Sequence, residues 1–144
     1  MRLFFLLICS LFYLPLSAQS LDYLWPTNSG NYLSSTFGET RSAHFHAGLD
    51  IKTWGREGYK VYASKEGILY RLLVTERGYG NAVYLKHPDG TFTVYAHMQR
   101  FNDAFQAMAD SIRMIDYSFE MDVIMDSLQI KVEQGDVIGY TGST

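Results

Sequence analysis

Asn81-Ala-Val-Tyr-Leu-Lys-His87, then Pro88-Asp89-Gly90, then Thr91-Phe-Thr-Val-Tyr-Ala-His97 is the stretch that decides the fold. Both flanks alternate apolar and polar side chains and are rich in β-branched and aromatic residues, the pattern of a half-buried strand. The short connection carries Asp-Gly, which favours the positive φ of a tight turn, so the stretch predicts an antiparallel hairpin. Working outward, strand-like runs over 49–53, 59–63 and 67–74 precede it, each bounded by turn residues. Downstream the period changes. Phe101, Ala104, Phe105, Met108, Ile112 and Ile115 fall on one face of a helix over 101–115, with Asn102 or Asp103 as its cap. Phe119, Met121, Val123 and Met125 then alternate again, as do Leu128, Ile130 and Val132 before the Gly135-Asp136 turn. The predicted fold is mainly antiparallel β with one inserted amphipathic helix.

Composition supports one core. The 144 residues are 47% hydrophobic and 19% charged, enough for a single ordinary domain and far from a disordered chain. Aromatic residues reach 15%, which favours pleated sheet over a coiled coil. A formal net charge of −3 gives no basic field to gather phosphates, so no nucleic-acid partner is expected.

The first residues read as an export signal. Arg2 precedes an apolar run over 3–16, and Ser17-Ala18-Gln19 offers cleavage after Ala18. A membrane anchor is the alternative, but about 20 apolar residues are needed to cross a bilayer and this run is shorter, with Pro15 near its end. No stable membrane anchor is therefore expected after cleavage. The only cysteine, Cys9, leaves with the signal, so the exported domain has no disulfide. Residues 19–36 form a polar lead-in that drapes over the domain.

Four histidines can do chemistry: His44, His46, His87 and His97. His44-Phe45-His46-Ala47-Gly48-Leu49-Asp50 contains H-x-H and H-x-x-x-D spacings. In a straight strand His46 and Asp50 would lie about 13 Å apart, too far to share an ion. A helix would bring them to about 6 Å, but Gly48 and the following Ile51 and Thr53 argue against one. A bend at Gly48 would let them converge on a site shared with His97. An imidazole and a carboxylate suit zinc, with a third ligand still needed. The same spacing also fits a solvated loop, His97 also fits a strand-end histidine bonded to a carbonyl, and His87 at the hairpin mouth reads as structural.

These pieces together resemble the lysostaphin/LytM-type zinc metallopeptidases, which cleave peptide bonds in bacterial cell walls. The resemblance runs through Phe37-Gly38, Arg41, H-A-G-L-D at 46–50, V-Y-A-S-K-E-G at 61–67, G-Y-G-N-A-V at 78–83, T-V-Y-A-H-M at 93–98 and G-D-V-I-G-Y-T-G at 135–142. It implies an antiparallel β-sheet sandwich of the duplicated hybrid motif type over 37–144, with a helical insertion at about 101–126. It implies His46 and Asp50 as Zn2+ ligands, His97 as a catalytic histidine, and peptidoglycan as substrate for an exported, periplasmic or extracellular hydrolase. The family's final H-x-H motif, which carries the third ligand and a second catalytic histidine, is missing, and the expectation is a C-terminally truncated domain; His44 precedes the first ligand and does not occupy that place. Two rivals are a wall-binding or activator module without catalysis, and a biotinyl or lipoyl carrier domain. The carrier would need a modifiable lysine, and Lys65 lacks the Met-Lys-Met or Asp-Lys-Ala setting.

Overall fold

A computed structural model describes residues 23–142; the export signal expected at 1–18 lies outside these residues. The strands are β1 (Leu33–Ser35), β2 (Asp50–Ile51), β3 (Lys60–Tyr62), β4 (Gly67–Val74), β5 (Asn81–Lys86), β6 (Phe92–Phe101), β7 (Met121–Ile124), β8 (Lys131–Val132) and β9 (Val137–Thr141). One α-helix, α1 (Asp103–Asp116), lies between β6 and β7 among the described residues. Strands β3-β9-β6-β5-β4-β7, with β8 also on β4, form a seven-stranded sheet in which every pairing is antiparallel, and β1 and β2 form a separate antiparallel pair. Among the described residues the fold is mainly β with a single α-helix, as the hydrophobic periods require.

The hairpin is the centre of the scaffold. Lys86 pairs with Phe92, the His87 N–H donates to the Thr91 carbonyl at 2.9 Å, and Gly90 takes a φ of +83° that a side chain would resist. Asp89 accepts hydrogen bonds from the N–H and hydroxyl of Thr91, closing the turn. Its apolar positions on β5, with Leu69 and Leu72 of β4 and Ile138 of β9, are fully buried. His87 is buried too. Its Nδ1 lies 2.7 Å from the Glu66 carbonyl and its Nε2 3.0 Å from the Thr93 hydroxyl, so it is a satisfied core histidine.

The helix begins later than its period suggests. Phe101 is the last residue of β6, and Asn102 is the cap: its Oδ1 accepts from the Phe105 N–H at 2.8 Å, while its Nδ2 donates to the Val137 carbonyl at 2.9 Å. Phe105 and Ala109 are buried, and Met108 and Ile112 pack against the core. Ala104 and Ile115 are exposed, which corrects the expected stripe at both ends. α1 packs on β6 and β7, and its last turn, with Ile115 82% exposed, carries the apolar face beyond the core. Leu128 is likewise exposed, in a 3₁₀ turn (Asp126–Leu128) where a strand period was read.

The lead-in is stitched to an edge. Leu24 N–H donates to the Ser64 carbonyl, Tyr62 N–H donates to the Pro26 carbonyl, and Thr27 bridges Val61. These bonds occupy backbone groups that the edge strand β3 would otherwise present to solvent. Among the described residues no helix is long and apolar enough to cross a membrane.

Candidate metal centre

The chain bends at Gly48, and His46 Nε2 comes to 3.1 Å from Asp50 Oδ1. Residues 36–46 form the loop that makes this possible. Gly38 N–H donates to the His46 carbonyl, His46 N–H to the Glu39 carbonyl, and Arg41 N–H to the His44 carbonyl. Asp50 opens β2, whose partner β1 ends at Ser35, and Ser35 pairs with Asp50 after a register irregularity between Leu33 and Ser35. The two-stranded sheet therefore carries the carboxylate, and the loop between its strands carries the imidazole.

The protons can be assigned from the partners. Ser35 Oγ is bonded to Glu39 Oε2, and a carboxylate can only accept, so the single hydroxyl proton of Ser35 is committed there. Arg41 Nη2 donates to Ser35 Oγ at 3.0 Å. His46 Nδ1 lies 3.0 Å from Ser35 Oγ and 3.0 Å from the Thr36 carbonyl, both of which are left as acceptors. Nδ1 therefore carries a proton. The lone pair of a neutral His46 then resides on Nε2 and faces the Asp50 oxygen. Two electron-rich atoms at this distance call for a cation or proton between them, and an imidazole whose other nitrogen is anchored by acceptors is the usual arrangement of a metal-binding histidine. The donor set fits a divalent cation. Asp50 Oδ2 is bonded instead to Arg41 Nη2 at 2.7 Å.

Among the described residues no group of three His, Cys, Asp or Glu side chains comes together. Neither His44, which is exposed in the loop, nor His97 completes a three-donor cluster with His46 and Asp50. His46 and Asp50 thus meet as a pair, and His97 lies on β6.

His97 is presented by a defect in its strand. Asn81 pairs with Met98 but Val83 pairs with Tyr95, so β6 holds one more residue than β5 across this interval. That is a β-bulge, and His97 within it takes a φ of +56°, an uncommon value for a residue with a Cβ. The bulge is pinned from both sides. His97 N–H donates to the Tyr79 carbonyl at 2.9 Å, and its carbonyl accepts from Gly142 N–H at 3.0 Å. Asn81 Nδ2 donates to the Met98 and Gln99 carbonyls. A Cβ on Gly142 would lie 2.6 Å from Gln99 N, so glycine is what allows β9 to close on the bulge. The imidazole is exposed, edge-on to the Tyr79 ring at 6.4 Å between centroids. Sequence reading missed the work of Ser35, Asn81 and Tyr79; Arg41 and Asn81 stood only as letters in motifs.

With this geometry in place, comparison with known proteins assigns the class. Residues 44–110 match peptidase family M23, a family generally of metallopeptidases, which supports an M23-type peptidase. The chain is 31% identical over 99 residues to the DD-carboxypeptidase/endopeptidase Mpg of Neisseria meningitidis serogroup B, covering 69% of this chain and 17% of that protein. The Mpg of Neisseria gonorrhoeae shows the same identity and coverage. The chain thus spans about a sixth of the length of the curated relatives it matches. No solved structure matches it.

Proposed function

We propose that the chain carries the core of a zinc-dependent endopeptidase acting on peptide cross-links of peptidoglycan, in an exported protein. The observation that carries this reading is the His46 Nε2 to Asp50 Oδ1 approach of 3.1 Å, with Nδ1 anchored on acceptors so that Nε2 is free to donate. The match to family M23 and the name of the Neisseria relatives support the substrate class. His46 and Asp50 are the ligands of the ion. Zinc, when bound, polarises the scissile carbonyl and lowers the pKa of its water. Among this chain's residues, His97 holds or moves a proton at its imidazole or stabilises the oxyanion, and the bulge fixes its direction. The site is open, with Asp50 40% exposed, which suits a polymer that must be approached in the middle of a chain.

A second reading, wall binding without hydrolysis, is favoured by the lack of a third donor among the described residues. The two readings separate in one experiment. The chain and a version extended past Thr144 by an H-x-H segment are incubated with purified cross-linked peptidoglycan and zinc, and released peptides are counted. The expected outcome is release by the extended chain only, abolished or reduced by about 10²–10⁴-fold in its His97→Ala variant with zinc content unchanged. Binding to peptidoglycan with no release from any version contradicts the hydrolase and supports the binding module.

A further inference from the structure

The Asp50 carboxylate is divided between two partners, and this division concerns Arg41. Oδ1 faces His46, while Oδ2 takes a 2.7 Å hydrogen bond from Arg41 Nη2. The same nitrogen donates to Ser35 Oγ at 3.0 Å, and Ser35 Oγ in turn lies 3.0 Å from His46 Nδ1. One guanidinium nitrogen therefore reaches the carboxylate directly and the imidazole through a single hydroxyl. Every member of this circuit lies on β1, β2 or the loop between them. We propose that Arg41 is the positioning residue of the metal centre, holding Asp50 to one available oxygen and locking it to His46 before the ion arrives.

Two effects oppose each other here. A guanidinium beside a divalent cation repels it, whereas a carboxylate already aligned with its imidazole partner binds more tightly than one that must be ordered. Both Arg41 and Asp50 side chains are 40% exposed, so water and salt screen the repulsion, and the alignment dominates. Loss of a group that orients a metal ligand typically weakens metal binding by 10–100-fold, and this site sits at the low end because it is open.

The inference rests on the reading of His46 and Asp50 as ligands, and the experiment keeps the two apart. Zinc is titrated into the full chain in competition with a chromogenic chelator, for wild type and for His46→Ala, Asp50→Asn, Arg41→Gln and Arg41→Lys, with thermal melts on each. The expected result is loss of binding in the His46 and Asp50 variants, about tenfold weaker binding in Arg41→Gln, and recovery of most of that loss in Arg41→Lys, whose ammonium supplies donors for both Asp50 and Ser35. A merely structural arginine would lower the melting temperature without recovery of affinity by lysine. Wild-type affinity in His46→Ala overturns the metal centre itself. Binding by Arg41→Gln as tight as wild type or tighter, or equal weakness in both Arg41 variants, overturns the role of Arg41 and leaves the centre standing.

Discussion

The hairpin sheet and the β1–β2 pair are built by different forces. In the sheet, Leu69, Leu72, Val83, Leu85 and Ile138 are shut away from water, and the ladder of antiparallel bonds runs through seven strands. In the pair, two short strands and a loop are exposed or half-exposed, and Phe37, Phe45 and Leu49 on that loop stay in solvent. What holds it is a polar circuit: Ser35 with Glu39, Arg41 and His46, and Arg41 with Asp50. The difference teaches where stability and ligand chemistry are each located. Burial supplies the stability of the scaffold, and directed hydrogen bonds supply the geometry of the candidate centre.

The largest expected effect breaks the scaffold. Leu72→Ala removes a fully buried side chain from β4, an interior strand of the sheet, and should cost about 2–5 kcal/mol of stability, whereas His46→Ala in the polar circuit should cost about 1 kcal/mol. Urea unfolding of both variants checks the contrast. Equal losses would mean that the circuit is part of the core.

A smaller effect sharpens the comparison from the other side, by asking what polar links contribute within the scaffold. At the hairpin tip the Lys65 ammonium, 2.5 Å from Asp89, and the hydrogen bonds from Thr91 hold the Asp89 carboxyl well below its ordinary value of 3.8. A depressed acid favours the folded state above its unfolded pKa, so this contribution is complete above about pH 4 and fades as pH falls from there through the folded value. The tip is solvent-exposed and the effect small. The melting-temperature gap between wild type and Asp89→Asn should be present at pH 6, shrink below pH 4, and narrow in high salt. A gap that persists unchanged at pH 3 would assign it to packing of the turn.

The same contrast explains what was legible in the sequence. The hairpin could be read because alternation and Asp-Gly are local signals, and the helix because Phe105, Met108, Ala109 and Ile112 recur at its period. Its start could not be read to the residue, because Phe101 serves the strand and the helix stripe equally well. The meeting of His46 and Asp50 could be anticipated from a glycine between them. The circuit around them could not: Ser35, Arg41 and His46 are brought together by the backbone path of a loop, which no period encodes. The bulge at His97 was also hidden, since Thr91 to His97 alternates as if unbroken while the extra residue shows only against the partner strand. Lys65, the residue on which a carrier domain would depend, is tied to Asp89 instead.

The central claim is that His46 keeps its proton on Nδ1 and offers Nε2, with Asp50, to a metal ion. Nitrogen-15 spectra of the imidazoles in the chain, recorded at neutral pH before and after addition of zinc, test it most directly. The account predicts that His46 bears its proton at Nδ1 without metal, and that zinc shifts its Nε2 resonance while leaving the buried His87 unmoved. A His46 with its proton on Nε2 alone, or with no response to zinc, would contradict it.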